Sequence, residues 1–201
     1  MYPKKIYLMR HAHSEAQDCK RKGISRDDDS LLDCHITKLG EFQAKTAWTE
    51  VDLPNLVVVS PLTRSIQTAL IAFEGFDIPM ICHPELKEKG NKLPENIRRD
   101  KRELIQDKKL NKHEAFADID FSLVLEEKAW SMSKKSKRVN FAHDTLIEWL
   151  KRRKEERILL VTHYKVIKEL FPARFEEVEN CKVFETNLFE GDYYLVKSGL
   201  I

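Results

Sequence analysis

The stretch LMRHAHSEAQ, residues 8–17, places one arginine and two histidines within four positions, directly after the first apolar run of the chain. Imidazole exchanges protons near neutral pH and binds metal ions, whereas guanidinium binds the oxygens of phosphates and carboxylates. Arg10, His11 and His13 therefore admit three interpretations. They form a metal site, an anion site or a solvated loop.

Two later apolar runs, LVVVS at 56–60 and RILLVT at 157–162, lead into similar chemistry. Arg64 lies just beyond the former and His163 directly follows the latter. Apolar runs of this length are typical of strands that are covered on both faces, as in a parallel sheet. Because ligands bind beyond the carboxyl ends of such strands, we expect two arginines and two or three histidines to meet in one crevice. That combination suits a phosphate dianion.

Segments with helical periodicity separate these runs. Helices are predicted within residues 37–51, 60–76 and 138–156. In the second segment, Ser60 is expected to cap the helix and Pro61 to occupy its first turn. In the first segment, the apolar positions include Leu39 and Phe42.

The alternation of strands and helices predicts an α/β fold, a three-layer α/β/α sandwich whose mostly parallel sheet carries helices on both faces. A further short strand is predicted at 79–83, and the tail contains two late strands around Gly191, one of them an edge partner. Residues 88–136 are charged, compatible with helix and poor in strand signals. We interpret them as a helical lid insertion within a single domain, 1–201.

The composition argues against several classes of protein. Thirty-five basic and 33 acidic residues leave a net charge of +2, which gives no general reason to expect nucleic-acid binding. The basic runs at 134–138 and 151–157 are the exception, and for them a solvated face is the default interpretation. No apolar run is long enough to span a bilayer, so no membrane partner is expected. Four scattered cysteines without a C-x-x-C pair indicate free thiols and a cytoplasmic location.

A metal site is the main rival to the phosphate site. The HAH spacing at residues 11–13 supplies two ligands in metal-dependent hydrolases built on (β/α)8 barrels. This chain has too few strand candidates to close such a barrel, and no set of carboxylates stands at later strand ends. We therefore expect no metal.

Five segments together resemble the histidine phosphatase superfamily, the phosphoglycerate mutase-like proteins. Residues 8–17 resemble its Arg-His-Gly signature, with Ala12 in place of the glycine and Gln17 in place of an asparagine. In addition, ENCKVF at 179–184 is similar to a branch of the family with poorly defined substrates. Tyr164 and Lys165 depart from the family, which usually has small residues there, and they add bulk beside the predicted pocket. The other four segments, in the order and spacing of the family, are DCHITKLGEFQA (33–44), VVVSPLTRSIQTA (57–69), PELKEKG (84–90) and LLVTHYKVI (159–167).

This resemblance implies two-step phosphoryl transfer through a phosphohistidine. His11, in its neutral form, is the expected nucleophile, and its other ring nitrogen must donate a proton to a backbone carbonyl. Arg10, Arg64 and His163 are expected to bind the phosphate oxygens.

The resemblance also implies an acid and weaker contacts. Glu88 is the expected general acid, and it then serves as the base for the attacking water. Glu85 is the alternative acid. Ser14 and Gln17 are expected to add weaker contacts to phosphate or substrate.

The expected function is hydrolysis of a phosphomonoester, without metal or other cofactor. The substrate is expected to be a small phosphorylated molecule, with a phosphopeptide among the candidates. Two alternatives stay open: phosphoryl transfer of the phosphoglycerate mutase type, and a catalytically weak protein that binds a phosphorylated ligand on the same fold. No apolar stripe apart from the predicted core indicates an oligomer interface.

Overall fold

A computed structural model describes residues 4–48, 52–90, 93–124, 142–170 and 177–188, and a five-stranded sheet lies at its centre. The strands are β1 (Lys4–Arg10), β2 (Leu56–Val59), β3 (Met80–Cys82), β4 (Arg157–Thr162) and β5 (Val183–Leu188). Their order across the sheet is β3-β2-β4-β1-β5, and all neighbours are parallel except β5, which pairs antiparallel with β1 at the edge. The predicted, mostly parallel sheet is confirmed. Of the two late strands that were predicted, β5 is the edge partner, and the chain around Gly191 lies outside the described residues.

The described helices alternate with these strands. They are α1 (Glu15–Arg21), α2 (Lys38–Lys45), α3 (Thr63–Ala72), α4 (Lys101–Gln106), α5 (Lys108–Asn111), α6 (Ala142–Lys151) and α7 (Tyr164–Leu170). Short 3-10 turns cover Asp29–Leu31, Pro84–Leu86, Pro94–Asn96 and Glu114–Phe116. Within the described ranges, every helix is too short or too polar to cross a membrane.

Helices cover the sheet on both faces, as the sandwich prediction requires. Alternate strand residues such as Tyr7 and Met9 face the side of α2 and α3, while Ile6 and Leu8 face the side of α6 and α7. This alternation follows from the two-residue period of a strand. Within the predicted lid segment 88–136, four described side chains are buried in the core on the α2–α3 side: Leu104, Leu110, Phe116 and Ile119. The function of this segment as a lid stays a prediction, and residues 125–136 lie outside the described part.

The start of α3 differs from the prediction. The helix begins at Thr63, and its N-cap residue Leu62 supplies no side-chain hydrogen bond, so Ser60 and Pro61 precede the helix. Asp33, from a distant loop, takes over the capping. Its carboxylate accepts hydrogen bonds from the Thr63 backbone N–H (2.8 Å) and from the Thr63 hydroxyl (2.8 Å). Because Asp33 caps the helix, the Ser60 hydroxyl is available to contact a functional side chain.

The buried face of α2 does not follow its large apolar side chains. Leu39 and Phe42 are 50% and 66% exposed, whereas Gly40 and Ala44 are buried. A Cβ on Gly40 would lie 2.3 Å from the carbonyl oxygen of His13, so only glycine allows this approach to the loop after β1. The close contact, rather than the two large apolar side chains, sets the orientation of the helix.

Candidate active site

His11 lies directly beyond the last residue of β1 and is almost fully buried. Its backbone N–H donates to the carbonyl of Thr162 in β4 (2.9 Å), which extends the strand pairing. Its ring Nδ1 lies 2.7 Å from the carbonyl oxygen of Ala12. Because a carbonyl only accepts hydrogen bonds, we assign the ring proton to Nδ1. Nε2 then carries a lone pair.

Arg64, in the first turn of α3, faces that lone pair. Its Nε donates to Nε2 of His11 at 3.3 Å. Its other nitrogens donate to the carbonyl of Glu95, to the amide oxygen of Asn96 (2.9 Å) and to Nδ1 of His163 (3.3 Å). A single buried guanidinium therefore connects both histidines to the turn Pro94–Asn96.

His163 follows β4 and is fully buried. Since Arg64 donates to its Nδ1, its proton is assigned to Nε2, which lies 2.7 Å from the Ser60 hydroxyl and 3.3 Å from that of Ser65. The centroids of the His11 and His163 rings are 5.0 Å apart. Burial lowers the pKa of each histidine well below 6.5, and the guanidinium of Arg64 lowers both further. Both rings are therefore neutral at pH 7.

Arg10 supplies the second guanidinium near His11. Its Nη1 donates to the carbonyl of Val178 (2.8 Å), and its guanidinium lies 5.5 Å from the centroid of the Tyr164 ring. Burial lowers the pKa of Arg10, while the carboxylate of Glu88 acts in the opposite direction. Tyr164 thus contacts Arg10.

The structure separates the two candidate acids. Glu88 lines the cavity beside His11, and burial raises the pKa of its carboxyl despite the opposing charges of Arg64 and Lys165. Glu85 instead accepts hydrogen bonds at helix α6, from the backbone N–H of Leu146 (3.2 Å) and from the Thr145 hydroxyl. The geometry therefore favours Glu88 over Glu85 as the candidate acid.

Ser14 and Gln17 line the same cavity, but the hydrogen bonds between them are those of a helix cap. Ser14 is the N-cap of α1, and the two residues form a reciprocal capping box. The Gln17 side chain accepts from the Ser14 backbone N–H (3.1 Å) and donates to the amide oxygen of Asn180 (3.1 Å). The predicted phosphate contacts of Ser14 and Gln17 stay a prediction.

The cavity has a volume of about 360 Å³, and all of its lining side chains are polar or charged. With neutral histidines, five cationic side chains face two carboxylates, so the lining carries a net charge of +3 before any shift of Glu88 to its protonated form. The lining residues are Arg10, His11, His13, Ser14, Gln17, Lys20, Arg21, Arg26, Arg64, Glu88 and Glu95. The charge of the cavity therefore suits an anionic ligand.

Sequence reasoning did not single out Lys20 and Arg21 of α1, which line the cavity, or four residues from loops. Arg26 forms a two-bond ion pair with Glu95, one bond measuring 2.9 Å (Nε to Oε2). Asn96 and Glu95 contact Arg64, while Asn180 contacts the backbone of His11. All four come from loops without hydrophobic periodicity, so only the ENCKVF resemblance pointed to one of them.

The HAH pair is not arranged as a chelate. Nδ1 of His13 lies 3.0 Å from the Thr37 hydroxyl, whereas His11 faces Arg64. Among the residues that the structure describes, no group of three or more His, Cys, Asp or Glu side chains is placed to hold a metal ion.

Together, the fold and the site define a class: a three-layer α/β protein with a cationic pocket at the carboxyl ends of parallel strands, lined by Arg10, His11 and Arg64, with His163 buried against Arg64. The family model of the histidine phosphatase superfamily (branch 1) matches residues 6–190. The chain belongs to this superfamily. A search among proteins of curated function gives no match.

Solved structures share the fold along nearly the whole chain. A putative alpha-ribazole-5'-P phosphatase from Escherichia coli is 18% identical, covers 97% of both chains and has a TM-score of 0.58. A phosphoserine phosphatase from Entamoeba histolytica, in complex with 3-phosphoglyceric acid, is 21% identical and covers 90% of this chain and 89% of its own, with a TM-score of 0.53. The ecdysone phosphate phosphatase of Bombix mori, in complex with tungstate, is 15% identical and covers 97% and 92%, with a TM-score of 0.57. At these identities the similarity establishes the fold.

Proposed function

We propose that this protein hydrolyses phosphomonoesters through a phosphohistidine on Nε2 of His11. One observation carries the proposal: Nδ1 of His11 has a carbonyl partner at 2.7 Å, so the lone pair of Nε2 faces the cavity beside Arg64. A neutral, oriented imidazole is the form that attacks phosphorus. The lowered pKa of His11 supports it, because the ring then stays unprotonated at neutral pH.

Arg10, Arg64 and His163 are the proposed phosphate ligands. In a loose transition state the charge gathers on the three equatorial oxygens, which the two guanidinium groups stabilise by their charge and the neutral ring of His163 by an N–H bond. Asn96 and His163 orient the guanidinium of Arg64, so the bond from its Nε to Nε2 of His11 is the one that has to break when that lone pair attacks phosphorus. These groups supply the charge stabilisation without a metal. The two guanidinium groups beside Nε2 also disfavour a metal cation at this position, since like charges repel.

Glu88 is the proposed general acid and base. Nε2 of His11 attacks phosphorus, the bond from phosphorus to the ester oxygen breaks, and the leaving oxygen takes the proton of Glu88. In the second step the Glu88 carboxylate takes a proton from water, the water oxygen bonds to phosphorus and the P–N bond breaks. This step restores the lone pair of Nε2. The raised pKa of Glu88 supports the first step, because a larger fraction of the carboxyl is protonated at neutral pH.

The proposed substrate is a small, polar phosphomonoester. A cavity of about 360 Å³ whose lining residues are all polar or charged suits a polar leaving group better than a large hydrophobic one. Its net charge of +3 exceeds that of a phosphate dianion, which favours a substrate with a further acidic group. The related structures are named for small phosphorylated molecules, which agrees with this size. The four free cysteines favour a reducing, cytoplasmic compartment.

Phosphate release from a panel of phosphomonoesters, measured in EDTA, tests the proposal. We expect turnover in the wild type and none above background in His11→Ala. His35→Ala is the matched control, because His35 lies outside the cavity lining and pairs with Asp107 (3.0 Å). Turnover that persists in His11→Ala, or that EDTA abolishes, contradicts the proposal. Transfer to a second substrate without release of phosphate indicates a mutase, and tight binding of phosphorylated ligands without turnover indicates a binding protein.

A further inference from the structure

The loop before β5 contacts the end of β1 at three points. The carbonyl of Val178 accepts a hydrogen bond from Nη1 of Arg10 (2.8 Å), and the backbone N–H of Cys181 donates to the Arg10 carbonyl (2.9 Å). Between them, the side-chain amide of Asn180 donates to the carbonyl of His11 (2.5 Å). We call Val178–Cys181 the clasp. It contacts the backbone of both Arg10 and His11 and lies outside the cavity lining.

Within the clasp, Asn180 is the residue whose side chain contacts the backbone of His11. Its Nδ2 donates to the His11 carbonyl and, at 3.3 Å, to Oε1 of Gln17, while its Oδ1 accepts from Nε2 of Gln17 (3.1 Å). Asn180 thus joins the backbone of the proposed nucleophile to the first turn of α1. The next residue, Cys181, has a φ of +61°, in the left-handed region that non-glycine residues rarely adopt. A chain that holds this conformation is fixed by its surroundings.

Two peptide groups set the tautomer and orientation of the His11 ring, and the clasp supplies one of the hydrogen bonds that hold them. In the peptide between His11 and Ala12, the carbonyl is bound by Asn180 and the N–H donates to the hydroxyl of Thr68 (3.0 Å). In the following peptide, the Ala12 carbonyl accepts the Nδ1 proton of His11, and the N–H of His13 donates to a Gln43 side chain (2.9 Å). Every polar atom of both peptides therefore has a partner. Asn180 is the partner of the carbonyl of His11 itself.

We propose that Asn180 is a positioning residue for His11: by holding the His11 carbonyl, it keeps the ring in the tautomer and orientation in which Nε2 faces the substrate. The catalytic part of this inference rests on the proposed function, whereas its structural part does not. Without the Asn180 amide, the peptide between His11 and Ala12 can rotate. The Ala12 carbonyl that accepts the Nδ1 proton then moves, and Nε2 is no longer aligned with the phosphorus atom.

Two substitutions isolate the donor group. Asn180→Ala removes the whole amide. Asn180→Asp keeps the size and an acceptor for Gln17 but cannot donate to the His11 carbonyl. Glu179→Ala is the matched control, because Glu179 is the exposed neighbour in the same loop and pairs with Lys182 only loosely (3.4 Å). All three proteins are compared with the wild type as full-length chains.

Kinetics with p-nitrophenyl phosphate give the first readout. Because a displacement of about 1 Å can cost about 100-fold in rate, we expect kcat to fall about 10- to 100-fold in Asn180→Ala and Asn180→Asp. KM is expected to change less than about 3-fold, because Arg64 and His163 keep their partners, and Glu179→Ala is expected to match the wild type. A rise in KM at constant kcat, or a kcat within 2-fold of the wild type in both Asn180 variants, overturns the inference.

The tautomer of His11 gives a readout that does not need turnover. In 15N-detected histidine NMR spectra, the wild type is expected to show His11 protonated at Nδ1 alone, and the Asn180 variants a mixture of both tautomers. An unchanged tautomer in both variants overturns the inference. If the wild type hydrolyses nothing, the proposed function fails while the tautomer measurement still tests the clasp. If Asn180→Ala does not fold, the near-isosteric Asn180→Asp decides.

Discussion

Replacement of Asp33 tests how α3, and with it Arg64, is fixed in place. Asp33 is fully buried, and its carboxylate accepts two hydrogen bonds of 2.8 Å from Thr63, the first residue of α3. It also lies 3.6 Å from Nε of Arg99. Because Leu62 offers no cap of its own, Asp33 is the side chain that caps the start of α3. Asp33→Ala therefore leaves buried donors at the start of α3 without their acceptor.

The structure sets the size of the effect. A buried hydrogen bond to a charged group contributes about 1.5–3 kcal/mol, so the loss of two costs about 3–6 kcal/mol. Asp33 also has a φ of +44°, and alanine in this left-handed region adds about 1 kcal/mol. We expect Asp33→Ala to lower the free energy of unfolding by about 4–7 kcal/mol. Asp33→Asn keeps one acceptor and tolerates the backbone conformation, so about 2 kcal/mol is expected.

Urea unfolding at pH 7.5 measures these changes. With a slope of about 2 kcal/mol per M, Asp33→Ala should move the midpoint down by about 2–3.5 M. The control is Asp28→Ala, which removes a capping bond of the same length, to the N–H of Ser30, from an exposed turn, and should cost less than about 1 kcal/mol. If Asp33→Ala is no more destabilising than Asp28→Ala, Asp33 does not anchor α3 and the reasoning fails.

Three further outcomes are expected. Glu88→Gln should lower kcat for an alkyl phosphate by about 100- to 1,000-fold, and by much less for p-nitrophenyl phosphate, whose leaving group needs no acid. Because the pKa of Glu88 is raised, wild-type activity on the alkyl ester should decline as pH rises through that pKa, and an equal loss on both esters would contradict the assignment. Gly40→Ala should destabilise the protein by about 2–3 kcal/mol, because its Cβ meets the His13 carbonyl, whereas Gly75→Ala, in open space at a φ of +85°, should cost about 1 kcal/mol in urea unfolding. Because the pKa of His11 is lowered, kcat/KM should hold from pH 7 down through 6.5 and fall only at lower pH, where the ring is protonated; a decline centred at 6.5 would contradict its burial beside Arg64.

The strand ends could be predicted from the sequence because the physics that places them is simple. Unbroken apolar runs form strands covered on both faces, and parallel strands bring their carboxyl ends to one edge. That rule alone indicated that residues at three separate strand ends would meet. In the structure Arg64 contacts both His11 and His163. Segment periodicity likewise predicted α6, whose apolar side chains Leu146 and Leu150 are buried.

Residues that act through backbone carbonyls or from loops left no such signal. Asn180 reaches His11, and Glu95 reaches Arg64, by contacts that depend on how loops of irregular conformation pack. The serine before Pro61 matched a helix-capping pattern, but capping by Asp33 from a distant loop moved the start of α3 to Thr63. A tertiary contact can replace a local one without any change in the local sequence, so these features required coordinates.

The most direct test of the central claim is to trap the phosphorylated enzyme during turnover. The wild type is mixed with substrate, quenched in alkali, where phosphohistidine survives, and mapped by mass spectrometry. The account predicts one phosphoryl group on the ring of His11, formed at least as fast as the enzyme turns over and absent from His11→Ala. Steady turnover without a phosphorylated His11, or a phosphoryl group on another side chain, would contradict it.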